Sequence, residues 1–308
     1  MTRTRAERIV SLLPAGTEIV SALGAAEQLV AISHECDYPP DVLHLPRVTA
    51  SAVDREADSA WIDASVRAMA ASGAPVFTIA ADDLVQLQPT LILTQSLCEV
   101  CAVSESGVGS LAQLLTLPPT ILPLVGSTLD AVWEDIRTVG AALGRTREAE
   151  LLLASIGERL RRVHETLNAA RAPRPRVAVI EWLDPLFVAG HWTPDLVRRA
   201  GGIDVLATPG QHSVRIEVEQ VREAQPDLVL FAPCGFGVER AEREARALLE
   251  APAWTWARGI EAWAIDGNAL TSRPGPRLAD AVEVMAAILA PELFPAPAAR
   301  YARRLSFS

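Results

Sequence analysis

Two hydrophobic patterns alternate along this chain. Short apolar runs bounded by polar turns read as strands buried on both faces, and the longer stretches between them, apolar at every third or fourth position, read as helices. In the first half the runs RIVSLL (8–13), LVAIS (29–33), PVFTIA (75–80), LILTQ (91–95) and TILPLV (120–125) predict strands. Helices are predicted over 59–71 and 107–117, and from Thr17, read as an N-cap, to Gly24. In the second half RVAVIEW (176–182), IDVLA (203–207), DLVLFA (227–232) and EAWAID (261–266) predict strands. Helices over 193–202, 217–224, 238–250 and 276–290 follow them. Such alternation predicts parallel sheets with covered faces.

Between the halves a helix over 128–143 leads into Arg145 to Arg171, which has no proline and one glycine, Gly157. Its apolar residues Leu152, Ile156, Leu160, Val163 and Leu167 form one stripe. About 25 helical residues span roughly 38 Å. Pro173 and Pro175 forbid continuation. The reading is two α/β lobes joined by one rigid helix: an N-terminal lobe over 1–126, connecting helices over 127–172 and a C-terminal lobe over 173–308. DLVQLQPTLILTQSLC (83–98) and QVREAQPDLVLFAPC (220–234) echo one another: helix, Gln-Pro, apolar strand, cysteine-bearing loop.

Composition narrows the function. A formal net charge of −10 over 308 residues argues against a nucleic-acid partner, which needs a basic face. No apolar run approaches the ~20 residues of a membrane span. Arg3, Arg5 and Arg8 precede an apolar stretch that imitates a signal peptide, but Pro14 and Glu18 interrupt it and fit strand, turn and helix better. A cytoplasmic location with reduced cysteines is therefore expected, or a periplasmic one if the true start lies upstream.

The chemistry gathers at the strand ends, where ligands of parallel α/β sheets bind. There the first half carries His34, Glu35, Cys36, Asp37, Cys98, Glu99 and Cys101. The second carries Glu181, Trp182, Asp184, His191, Trp192, Cys234 and Phe236. All four cysteines fall in these loops. Three readings stand for them: small residues packed at loop bases; a zinc or Fe–S site from Cys36, Cys98, Cys101 and Cys234; or a redox dithiol at Cys98-x-x-Cys101. His34 and His191 are candidate ligand contacts or metal ligands. Trp182 and Trp192 are candidate stacking faces, with Trp192 preferred because Gly190 and His191 make a polar turn beside it. No GxGxxG, P-loop or GxSxG motif occurs.

The segments IVSLLPAGTEIVSALGAAEQLVAISHECDYP, TQSLCEVC, EWLDPLFVAGHW, LFAPCGF and SRPGPRLADAVEVMAAILAPELF together resemble the cobalamin-binding branch of the class III substrate-binding proteins, which serve ABC importers. The likeness runs from Arg8 to about Phe294. It implies two Rossmann-like lobes with parallel sheets, a single backbone helix with little hinge motion, and a ligand cleft between the lobes. It implies cobalamin or a related corrinoid as ligand, and an ABC transporter as partner if the protein is exported. The ligand contacts it implies are His34 to Tyr38, Ser96 to Cys101, Asp184 to Trp192, Cys234 to Phe236 and Ser272 to Gly275. The alternatives are a metal- or Fe–S-dependent enzyme, with Glu35 or Glu99 moving protons, and a haem or siderophore binder.

Overall fold

A computed structural model describes residues 7–96, 108–109 and 115–306. The predicted helix over 107–117 falls largely outside these residues, as do Cys98, Glu99 and Cys101.

The chain divides into two compact units. The first comprises residues 1–126 and 130–154, the second 127–129 and 155–308. The first contains β1 (Ile9–Ser11), α1 (Pro14–Ala22), β2 (Leu29–Ile32), β3 (Thr49–Ser51), α2 (Ser59–Ser72), β4 (Phe77–Ile79), α3 (Ala81–Leu87), β5 (Leu91–Gln95) and β6 (Thr120–Leu124). Then come α4 (Leu129–Ala142) and α5 (Thr146–Ala170), and the division between units falls within α5. Strands β2-β1-β5-β6 form a wholly parallel sheet. Val10, Leu12, Ala31 and Ile92 bury themselves on one side of it with Leu84 and Val108. The run at 75–80 does not join this sheet. Its β4 pairs antiparallel with β3, a strand that the sequence reading did not predict.

Two local expectations change. Thr17 is not the cap of α1: Leu13 holds that position without a side-chain bond, and Pro14 starts the helix, where a missing N–H costs nothing. The stripe on α5 runs through Leu153 rather than Leu152, then Ile156, Leu160 and Val163, all buried. Shifting one position keeps the spacing of three and four.

The second unit contains β7 (Arg176–Leu183), β8 (Leu186–Val188), α6 (Thr193–Arg199), β9 (Ile203–Asp204), β10 (Val214–Arg215), α7 (Val218–Glu223) and β11 (Leu228–Phe231). They are followed by α8 (Val238–Leu249), β12 (Glu261–Ile265), α9 (Gly267–Leu270), α10 (Leu278–Leu289) and β13 (Ala302–Leu305). Its sheet has the order β10-β8-β7-β11-β12-β13, with β9 beside the start of β7. Strands β9, β7, β11 and β12 are parallel, while β8 pairs antiparallel with β7, β10 with β8 and β13 with β12. The expected parallel core is therefore present, with antiparallel pairings added at the two edges of the sheet. The segment after Trp182, read as a loop, turns back as a hairpin that pairs Trp182 with Phe187 and Leu183 with Leu186. Asp184-Pro185 forms its two-residue turn.

The echo between the halves is structural. β2-β1-β5-β6 and β9-β7-β11-β12 share the connection order second, first, third, fourth. In both, glutamine before proline closes the preceding helix in the left-handed region, Gln88 at φ 45° and Gln225 at φ 46°. Proline excludes the αR region at the residue before it, so each helix must end there.

Burial leaves one carboxylate strained. Asp204 Oδ1 accepts from the N–H groups of Leu206 and Ala207, at 2.9 and 3.0 Å, but Oδ2 is buried without a partner. Burial pushes the carboxyl up to about 6. Between about pH 4, where the unfolded group titrates, and about pH 6, the folded chain keeps a proton that the unfolded chain has released. Stability therefore falls as pH rises through this window. Asp204→Asn keeps the Oδ1 acceptor and removes the charge. Urea denaturation is expected to show a gain about 1–2 kcal/mol larger at pH 7.5 than at pH 4.5. An equal change at both values rules out the ionised carboxylate as the source.

Candidate functional site

In the first unit the carboxyl end of β2 carries Ser33 to Tyr38. The loop is held from beneath by one guanidinium: Arg47 Nη1 donates to the carbonyls of Ser33, His34 and Cys36 at 2.9, 3.2 and 2.7 Å. Thr49 on β3 organises the other side. Its hydroxyl lies 2.7 Å from His34 Nδ1 and 3.0 Å from Ser33 Oγ, and it accepts from the His34 N–H. His34 Nε2 is buried without a hydrogen-bond partner among the described residues, the Glu35 carboxylate standing 3.9 Å away. Burial lowers the His34 pKa, Glu35 opposes it, and Arg55 and Arg47 lower it further. The ring is thus held toward the neutral form. Asp37 and Tyr38 are exposed.

Cys36 is 1% exposed, and its sulfur lies 3.1 Å from Thr17 Oγ1. It is a packed thiol at a loop base, not an open metal ligand. Cys234 is exposed. Among the described residues no group of three or more His, Cys, Asp or Glu side chains is placed to hold a metal ion, so the metal reading gains no support there. Iodoacetamide on the native protein is expected to alkylate Cys234 and spare Cys36 until denaturant is added, as peptide mass spectrometry will show. Equal labelling of both in the native state contradicts the burial of Cys36.

In the second unit the ends of β7 and β11 lie side by side, and the Cys234 N–H donates to the Glu181 carbonyl at 3.0 Å. They bring Trp182 and Phe236 together, ring centres 5.2 Å apart. On Phe236 rests the guanidinium of Arg240, 3.5 Å from the ring centre and paired with Glu244 at 2.7 Å. Phe236 is enclosed at 4% exposure. Trp182 is half-buried, its indole N–H donating to the Asp184 carbonyl, and Asp184 is exposed. The more exposed aromatic ring of this pair is therefore Trp182. Trp192, the face preferred from sequence, is buried, and its indole N–H donates to the Thr271 carbonyl at 2.8 Å. It packs inside because α6 begins directly after it and turns it under the sheet ends. Arg273 is also inward, 4% exposed, with Nη2 on Asn268 Oδ1 at 2.8 Å. Ser272 Oγ accepts from the Gly235 N–H, which ties this segment to the β11 rim. Ser96, at the end of β5, donates its backbone N–H to Leu124.

His191 takes up a left-handed conformation at φ 53°, stacks near Trp192 and sets Nε2 3.2 Å from His212 Nδ1. Burial, then the neighbouring His212, lowers its pKa. Sequence reading missed Arg47, Thr49, Arg240 and His212. Arg240 sits in VERAEREARALL, which reads as a solvated helix face, and the others carry no local signal. A surface hollow of about 520 Å³ in the second unit, lined by Arg162, Phe294 and Tyr301 among others, shares no residue with these rims.

The parallel core and ligand-type side chains at strand ends define a binding scaffold of the α/β kind. The family model for a periplasmic binding protein matches residues 9–258, and the chain belongs to that family. The Vitamin B12-binding protein of Vibrio cholerae serotype O1 is 26% identical over 278 residues, 90% of this chain and 87% of its own. The solved periplasmic vitamin B12 binding protein BtuF of Vibrio cholerae is similar at 25% identity and TM-score 0.63, covering 92% of this chain and 96% of its own. A periplasmic heme binding protein from Pseudomonas aeruginosa shares the fold at TM-score 0.70 and 22% identity, covering 98% and 95%. No helix among the described residues is long and apolar enough to cross a membrane.

Proposed function

We propose that this substrate-binding protein takes cobalamin or a related corrinoid as its ligand, for transport, salvage or delivery. The observation that carries the reading is the sequence likeness to a vitamin B12-binding protein over nine-tenths of the chain. The rims agree with it chemically. A corrin is a broad apolar ring fringed with amides. In the second unit the Trp182 face supplies apolar contact, and Asp184 and rim carbonyls supply polar partners. The family role makes an ABC transporter the partner expected for an exported form.

Haem is the second reading. It is favoured by the fold likeness to a heme binding protein and by His34, whose buried Nε2 has no hydrogen-bond partner among the described residues. Titrations with cyanocobalamin, cobinamide, haemin and a ferric siderophore, followed by visible absorbance and calorimetry, separate the two. Saturable corrinoid binding supports the proposal. A haem Soret band whose position depends on His34 transfers the assignment to haem. Failure to saturate with any of the four overturns both.

A further inference from the structure

We infer that His191 and His212 form a two-imidazole binding site for a divalent transition-metal ion in the second unit, independent of the corrinoid reading. Their facing nitrogens are 3.2 Å apart and their ring centres 5.1 Å apart, with the planes at 88°. Two imidazole nitrogens about 2.0–2.1 Å from one metal at the tetrahedral angle stand roughly 3.3 Å apart, with ring centres roughly 5.2 Å apart. A straight N–H···N bond of the same nitrogen separation sets the centres roughly 5.5 Å apart. The observed pair is bent, as two lone pairs converging on one point require.

The backbone holds both histidines in place without help from their side chains. The His191 N–H donates to the Gln211 carbonyl at 2.7 Å, and the His191 carbonyl accepts from Gly210 at 2.9 Å. The Gly190 N–H donates to Ser213 Oγ at 3.2 Å. A Cβ on Gly190 would meet Gln211 O and Ser213 N at 2.5 Å, so only glycine lets the two segments approach this closely. The site is thus preorganised, and a metal ion recruits the rings with little loss of freedom. His191 is half-buried and His212 exposed, which leaves the remaining coordination positions to water or an incoming ligand. The lowered pKa of His191 keeps its imidazole neutral, the form that binds metal.

The donor set is two neutral nitrogens, so affinity should follow Co²⁺ < Ni²⁺ < Cu²⁺. The test uses the metal chlorides alone, in protein carrying Cys98→Ser, Cys101→Ser and Cys234→Ser so that thiolates cannot compete. Calorimetry is expected to give one Ni²⁺ per chain. Cu²⁺ should show electron-spin splitting from two nitrogens. His212→Ala and His212→Gln lie at an exposed position and should leave the melting curve in place while weakening Ni²⁺ at least about tenfold. The Gln variant keeps a hydrogen-bonding side chain, so equal loss in both identifies ligation. No stoichiometric Ni²⁺ binding, or binding unchanged by His212→Ala, overturns the site.

Discussion

Gly267→Ala is expected to lower the melting temperature by roughly 4–6 °C, about 3 kcal/mol in a chain of this size. Gly267 opens α9 directly against the end of β11. An added Cβ would lie 2.1 Å from the Pro233 carbonyl oxygen, 2.8 Å from its carbon and 2.9 Å from the carbonyl carbon of Ala232. These are backbone atoms and no rotamer change relieves them. The strand end must move, and with it the Cys234 to Phe236 rim, which is also held by the bond from Asn268 N–H to the Phe236 carbonyl at 3.1 Å. The matched control has the opposite sign. Gly157 lies exposed within α5 with nothing near its would-be Cβ. Gly157→Ala should gain roughly 0.5–1 kcal/mol from helix propensity and reduced unfolded-state freedom. Calorimetric melting of both variants decides the matter. A Gly267→Ala protein melting within about 2 °C of wild type denies the close approach.

Under the corrinoid proposal, Trp182→Ala is expected to weaken cobalamin about 30- to 100-fold, roughly 2–3 kcal/mol, as for aromatic anchors covered by a ligand. Trp182→Phe should recover most of it, since an aromatic face remains. Trp192→Phe should behave differently. It loses the indole bond to Thr271 and some packing, for about 1–2 kcal/mol of stability, and leaves the affinity nearly unchanged. Titration and melting of the same samples separate the roles. If Trp192→Phe loses the ligand and Trp182→Ala keeps it, the assignment of the open face is reversed.

Which tryptophan faces outward was not legible locally. Gly190 and His191 looked like a flexible polar turn, so Trp192 looked exposed. The turn is rigid, because Gly190 is pressed on the 211–213 backbone, and the indole is carried inward with α6. Phe236 and Arg273 are read from sequence as ligand contacts, but both side chains are buried, Phe236 against Trp182 and Arg273 on Asn268. Cys36 likewise sits in a chemistry-bearing loop with its thiol turned down onto Thr17. Strand-end position shows which residues are near a rim. It does not show which way a side chain points, because that depends on the elements packed below.

By itself the sequence determined the alternation of strands and helices, the long helix within about a residue at each end, and the loops that hold the polar chemistry. It also carried the likeness to a substrate-binding family. These features are local: apolar periodicity, proline and glycine stops, and Gln-Pro closing two equivalent helices. The tertiary structure decided the antiparallel additions at β8, β10 and β13, the separate β3–β4 pair, the Arg47 and Thr49 supports and the His191–His212 pair. Apart from the β7–β8 hairpin, each joins residues well separated in the chain through hydrogen-bond register or a single side-chain contact. No spacing in the sequence encodes such a pairing, because its energy exists only once the sheets have brought both partners to the same edge.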